Sequence, residues 1–159
     1  ACPKAELIGI DLSESYLKKA SKYLSYKNKN LAQLIRGNAE KLPFADNSMQ
    51  AVTCVFLMHE LPRKARQNVI HECWRVLEPD GILVLADSVQ INDSPQFCSI
   101  LEDFHKVFHE PYYRDYITDD ITERLSSEGF HNINANSYFM TRVWSAYKPV
   151  ERVKLNQEN

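Results

Sequence analysis

The sequence has no apolar run approaching the ~20 residues of a membrane-spanning helix, and its N-terminus lacks the charged-then-apolar layout of a secretory leader. Those two absences make a cytoplasmic chain with no membrane span the expectation. No C-x-x-C pair occurs: Cys2, Cys54, Cys73 and Cys98 are scattered, so neither a zinc site nor a disulfide framework is indicated. Three of the four fall within apolar patterns, where reduced cysteine acts as a small packing residue. No block of Lys or Arg stands out and the formal charge is only -2, which argues against nucleic acid and against an anionic membrane surface. A small molecule is the expected partner. Glycine is scarce, with four in the whole chain and none in a Gly-x-Gly turn. Internal repeats and low-complexity stretches are also lacking.

What is present is the composition of one ordinary domain, with 159 residues, 44% hydrophobic and 25% charged. The expectation is a single domain over residues 1–150 and a polar tail over 151–159, frayed as termini commonly are. Leu7-Ile8-Gly9-Ile10 reads as a short strand ending in Asp11, and Ser13 with Glu14 opens a helix. Tyr16, Leu17, Ala20, Tyr23 and Leu24 give that helix one apolar face, which Asn28 and Asn30 end. A second strand is predicted over Leu31 to Arg36. Ala51 to Leu57 is a continuous β-branched and apolar run, the pattern of a central parallel strand covered on both faces.

Pro62 then begins a helix with Ala65, Val69, Ile70, Cys73 and Trp74 on one side, and Pro79-Asp80-Gly81 turns the chain into the strand Ile82 to Ala86. Strands alternating with helices imply an α/β fold with a mostly parallel sheet and right-handed crossovers. After Asp87 the pattern changes. Phe97, Ile100, Leu101, Phe104, Val107 and Phe108 form a helical stripe, and Pro111 to Tyr116 is an aromatic segment suited to an inserted cover. A helix capped within Thr118 to Asp120 ends at Gly129. Ile133 to Met140 and Arg142 to Tyr147 then close the domain as an antiparallel hairpin.

In an open parallel sheet, ligands bind beyond the carboxyl ends of the strands. The residues found there are polar: Asp11 after the first strand, Asn38 after the second, His59 and Glu60 after the third, Asp87 and Ser88 after the fourth. A carboxylate at Asp11, beside a helix start, is placed to accept both hydroxyls of a nucleoside ribose, although it equally suits a helix cap.

Four segments, taken in order and spacing, carry a resemblance: Ile8-Gly9-Ile10-Asp11-Leu12-Ser13, Arg36-Gly37-Asn38-Ala39-Glu40-Lys41-Leu42-Pro43-Phe44, Val55-Phe56-Leu57-Met58-His59-Glu60-Leu61 and Arg75-Val76-Leu77-Glu78-Pro79-Asp80-Gly81. They resemble the class I S-adenosylmethionine-dependent methyltransferases, and among them the ubiquinone and menaquinone biosynthesis group. The resemblance covers residues 6 to about 90 well and the remainder in pattern only.

It implies a Rossmann-like sheet with S-adenosylmethionine as cofactor. Asp11 would hold the ribose hydroxyls and Leu12 would pack on the adenine, whose amino group faces Asn38 and Ala39. Val55 and Phe56 would line the methionine side. Two positions depart from the family pattern: Asn38 stands where Asp is usual, and Met49-Gln50 where Phe-Asp is usual. The resemblance also implies a first strand and a Gly-x-Gly-x-Gly turn ahead of Glu6, where only Ala1 to Ala5 are present, so the family's first strand and helix are expected to be missing.

Methyl transfer from a sulfonium needs alignment and dryness, and a base only where the acceptor carries a proton. His59 is the candidate catalytic residue, with a hydrogen-bonded structural role as its alternative. Glu60, Tyr112 and Tyr113, with Tyr116 beside them, are candidates for holding a small apolar or aromatic acceptor, with simple packing as the alternative for the tyrosines. His71, His105 and His109 offer no ligand geometry beyond the i, i+4 pair of the last two, so no metal site is expected. A different class of reading is a catalytically silent, truncated methyltransferase-like interaction module that forms a homodimer through unpaired strand edges. A nicotinamide-binding Rossmann domain fits less well, because of the terminal hairpin and the Asn38-Ala39 segment.

Overall fold

The branched run Ile82 to Ala86 is the middle of a strand that extends well beyond it at both ends, β4 (Leu77–Ser88). The computed structural model describes residues 5–26, 32–93 and 95–150, which fall into two compact bodies, Ala1–Pro43 and Phe44–Asn159. Cys2, the stop at Asn28 and Asn30, Leu31 and the tail from Glu151 lie outside the described residues, as do the side chains of His105, Val107 and Phe108. No described helix is long and apolar enough to cross a membrane.

The first body is a βαβ unit. β1 (Leu7–Asp11) and β2 (Ala32–Arg36) pair in parallel, with Gly9 opposite Leu34 and Asp11 opposite Arg36. Between them runs α1 (Glu14–Tyr26), with Glu14 in its first turn and Ser13 ahead of it. The Tyr16 and Leu17 amides both bond the Ser13 carbonyl at 3.1 Å. A Cβ at Gly9 would stand 2.8 Å from Leu34 Cδ2, so a larger residue there would make the end of that leucine side chain move.

The second body is built on a four-stranded sheet in the order β3-β4-β6-β5. β3 (Met49–Val55) pairs in parallel with β4, with Val52 opposite Leu83 and Val55 opposite Ala86. β6 (Thr141–Tyr147) runs antiparallel on the other side of β4, with Trp144 opposite Leu85, and β5 (His131–Tyr138) forms an antiparallel hairpin with it. This sheet is therefore mixed rather than mostly parallel. β3 differs from the central position its apolar run predicts: among the described residues it is an outer strand, and Ala51, Thr53 and Val55 are exposed.

The helices of this body are α2 (Arg63–Val76), α3 (Cys98–Phe108), the single turn α4 (Tyr113–Tyr116) and α5 (Ile121–Glu128). One-turn 3-10 helices at Met58–Glu60 and Pro95–Phe97 precede α2 and α3. Val69, Ile70, Cys73 and Val76 of α2, Leu83 and Leu85 of β4, Leu101 of α3, Ile121 and Leu125 of α5, and Trp144 of β6 are all buried and form the core. Both ends of α5 follow from its sequence. Asp120 accepts the Glu123 amide at 3.0 Å, and Gly129 takes φ 105°, the left-handed residue that lets a helix stop.

The C-terminus of α2 is closed from another element. The Lys148 ammonium, nearly buried, donates to the Trp74 and Leu77 carbonyls at 2.9 and 2.6 Å and to Asn47 Oδ1 at 2.6 Å. A cation there satisfies carbonyls that the helix leaves unpaired and complements its dipole.

Candidate active site

In the first body the predicted ribose and adenine residues lie at the carboxyl ends of its two strands. The Gly37 amide donates to the Asp11 carbonyl at 3.1 Å, which fastens the start of the Asn38 segment beside the end of β1. Asp11 Oδ1 accepts the Ser13 amide at 2.7 Å, so the carboxylate caps the turn into α1 with one oxygen. Its Oδ2 takes no hydrogen bond among the described residues. Leu12 is 64% exposed, an apolar side chain held out beside that carboxylate. Asn38 Oδ1 accepts the Glu40 amide at 2.9 Å and the Lys41 amide reaches the Asn38 carbonyl at 3.0 Å, closing a tight turn with Ala39 inside it. An open carboxylate oxygen, an apolar side chain and a polar turn, brought together by strand pairing, suit a nucleoside.

In the second body the ends of β3 and β4 converge on His59. The Phe56 amide donates to the Ala86 carbonyl at 2.8 Å, continuing the ladder one residue past β3, and Phe56 then takes φ 51°. That left-handed turn is uncommon for a bulky residue. It ends the strand and starts the 3-10 turn that carries His59. Phe56 and Val55 stay exposed, at 51% and 60%.

Asp87, at the end of β4, is buried and fully engaged. Its Oδ2 accepts the Met58 amide at 2.8 Å, and its Oδ1 accepts the Ser88 amide at 2.7 Å and His59 Nδ1 at 2.6 Å. A carboxylate accepts only, so Nδ1 carries the proton and Nε2 is left as the ring's other polar atom, without a partner among the described residues. Burial alone would lower the His59 pKa. The hydrogen bond and charge of Asp87, with the charges of Glu110 and Glu60, outweigh it and raise the value above 6.5.

Rings of Phe56, Tyr113 and Tyr116 meet the imidazole edge-on, at centroid distances of 6.4, 5.9 and 6.1 Å. Phe104 stacks on Tyr113 at 4.5 Å. The tyrosine hydroxyls turn back to the end of β4: Tyr113 shares a 2.6 Å bond with Ser88 Oγ, and Tyr116 donates to the Ser88 carbonyl at 2.6 Å. Burial raises the pKa of both phenols, so neither is an acid near neutrality. Cys54, nearby on β3, is pushed up to about 12 by burial and by the Asp87 charge, and is a packing thiol.

The aromatic segment is clamped to α2 by the fully buried Arg66. Its Nε donates to the Met58 carbonyl at 3.0 Å, Nη2 to the Tyr112 carbonyl at 3.2 Å, and Nη1 to Asp115 and Asp119 at 3.0 and 2.5 Å. Arg63 adds a bond to Asp115, and Arg124 a pair of bonds to Asp119. A planar guanidinium with five donors is the side chain that can hold this many acceptors at once.

Of the predicted acceptor residues, Tyr113 is buried with its ring against His59, while Glu60 and Tyr112 are exposed beside it. Sequence reasoning marks Asp87 as a strand-end carboxylate without its bond to His59, and it misses Arg66. Tyr116, a candidate from the same aromatic segment, is buried with its ring against His59.

A family model described as a methyltransferase domain matches residues 1–85, more than half of the chain, and the chain belongs to that family. It is a class I methyltransferase domain, and the group it resembles is that of quinone biosynthesis. The chain is 37% identical over 90 residues to the demethylmenaquinone methyltransferase of Listeria monocytogenes serotype 4a, a match covering 57% of this chain and 37% of that protein. The corresponding protein of Geobacillus stearothermophilus is 35% identical over 88 residues, covering 55% and 37%. The match thus spans little more than a third of the length of these relatives.

Among solved structures, a SAM-dependent methyltransferase from Methanosarcina mazei superposes with a TM-score of 0.64 at 17% identity, covering 91% of this chain and 82% of that one. A Pyrococcus horikoshii protein gives 0.66 at 17% identity, covering 92% and 72%. At these identities the likeness is one of fold, the Rossmann-like α/β architecture.

Proposed function

We propose that the chain serves transfer of a methyl group from S-adenosylmethionine to a small apolar or aromatic acceptor, with His59 receiving the acceptor's proton. The observation that carries this reading is the 2.6 Å bond between His59 Nδ1 and the buried Asp87, which fixes the tautomer and leaves Nε2 to act. The cofactor supplies an electrophilic methyl carbon: the carbon–sulfur bond breaks with its electron pair going to sulfur while the acceptor's nucleophile bonds to the carbon. Asp11 is assigned to the ribose hydroxyls, Leu12 to the adenine face, Asn38 and Ala39 to the adenine edge, and Val55 and Phe56 to the methionine side. Phe56, Tyr112 and Glu60 are assigned to the acceptor, and Tyr113 to the wall behind His59. The name of the curated relatives supports a quinone-like aromatic ring as acceptor.

The test is calorimetric titration of the chain with S-adenosylhomocysteine. Binding is expected, weakened tenfold or more by Asp11→Ala and left within about twofold by His59→Asn. No binding by the parent chain, or equal binding by Asp11→Ala, overturns the cofactor assignment.

A further inference from the structure

His59, Glu60 and Glu110 each offer a ligand atom, and these three atoms lie within 4.8 Å of one another. We propose that they form a site for one divalent first-row transition-metal ion. With Nδ1 held by Asp87, Nε2 is the nitrogen available to bind. An imidazole whose other nitrogen is fixed by a buried carboxylate is the arrangement that orients histidine toward metals and strengthens it as a donor. At metal–ligand bonds of about 2.1 Å, ligand atoms sit roughly 3 Å apart, so side-chain rotation of an ångström or so closes the set.

The donor set selects the ion. One nitrogen and two carboxylates suit Mn, Fe, Co or Zn, whereas Mg and Ca favour oxygen alone. Two carboxylates balance the charge of a divalent ion. They also repel each other without one, and Glu110 is only half-buried while Glu60 is exposed, so an ion can enter from solvent. Three protein ligands leave coordination positions open, and the ion would lower the pKa of an acceptor hydroxyl bound there, so that its proton passes to solvent water and not to His59. Proton and ion would then compete for the same Nε2.

This inference goes beyond the methyl-transfer reading and is tested apart from it. Mn²⁺ is titrated into the full chain and the six-line resonance of the free ion is followed by electron paramagnetic resonance. Loss of signal equivalent to one ion per chain is expected, with Glu60→Gln and Glu110→Gln each weakening binding tenfold or more and Asp87→Asn by 10- to 100-fold. A tenfold excess of Mg²⁺ should not displace the ion. Circular dichroism melts of the variants show that each is folded, and only folded variants are scored. No uptake at millimolar Mn²⁺, or uptake unchanged in both glutamate variants, overturns the site. Binding of S-adenosylhomocysteine in EDTA reports on the cofactor assignment alone, so either idea can fail without the other.

Discussion

Asp87 Oδ1 and His59 Nδ1 stand 2.6 Å apart, and Asp87 closes two further bonds, to the Met58 and Ser88 amides. Two of its three acceptor bonds therefore serve the same short turn, Met58–Glu60, and the third closes on its own strand end. Asp87→Asn keeps the shape but replaces an acceptor by a donor, which cannot face both the Met58 amide and the His59 N–H. A kcat lowered by about 10²-fold or more is expected, with the affinity for S-adenosylhomocysteine nearly unchanged. Steady-state kinetics beside calorimetry separates the two, and an equal loss in both would assign Asp87 a purely structural role.

Arg66 joins α2 to the turn before it and to the aromatic segment, entirely out of solvent. Arg66→Met leaves the buried Asp119 to Arg124 and to Arg63 at 3.5 Å, and leaves the Met58 and Tyr112 carbonyls with one amide donor each, from Leu61 and Tyr116. Removing one partner from a buried ionic cluster costs about 3–5 kcal/mol. Urea unfolding at neutral pH measures it, and Arg66→Lys should recover only part because a point charge cannot reproduce the fork.

The same cluster sets an acid limit on stability. Burial would raise the Asp119 pKa, but hydrogen bonds from Arg124 and Arg66 and their charges lower it below the ordinary 3.8. With the folded value depressed, the unfolded chain binds more protons between the two values, so stability rises with pH across that window. The contribution is complete above the unfolded value and is lost as pH falls through the folded one. Urea midpoints between pH 5 and pH 2.5 should fall more steeply for the parent chain than for Asp119→Asn.

Two glycines separate backbone strain from crowding. At Gly129, φ is 105° and an added Cβ would meet nothing closer than Trp74 Nε1 at 3.6 Å, so Gly129→Ala should destabilise by about 1 kcal/mol through conformation alone. At Gly81 a Cβ would stand 2.8 Å from the Glu78 carbonyl oxygen and 3.3 Å from that of Gln50, and main chain must shift. Gly81→Ala should cost more, roughly 2–3 kcal/mol. Thermal melts of the two variants rank them.

How far the sequence foretells this molecule depends on the range of the interaction. The β1–α1–β2 unit, the apolar half of β4 from Ile82 and the closing hairpin arise from patterns a few residues long that are visible in the chain, whereas Pro79-Asp80-Gly81, which reads as a turn, lies within β4. So is the end of α5, because Asp120 and Gly129 act on their own neighbours. The outer position of β3 is not visible, since a run such as Ala51 to Leu57 records hydrophobicity and not how many strands flank it. The Arg66 clamp joins residues 46 to 53 positions apart. No periodicity encodes such a pairing, and a lone Arg within an amphipathic helix reads as solvated until the fold buries it.

The left-handed Phe56 carries a consequence for engineering. Glycine adopts that conformation freely, and a bulky residue held there is strained by about 1–2 kcal/mol. With 51% of its surface exposed, the phenyl ring is still half buried, and that burial returns about 1 kcal/mol, comparable to the strain. Phe56→Gly should therefore leave the melting temperature nearly unchanged and at the same time weaken the handling of ligands. A screen for thermostability alone would accept either residue at this position, and a screen for turnover would keep the aromatic one.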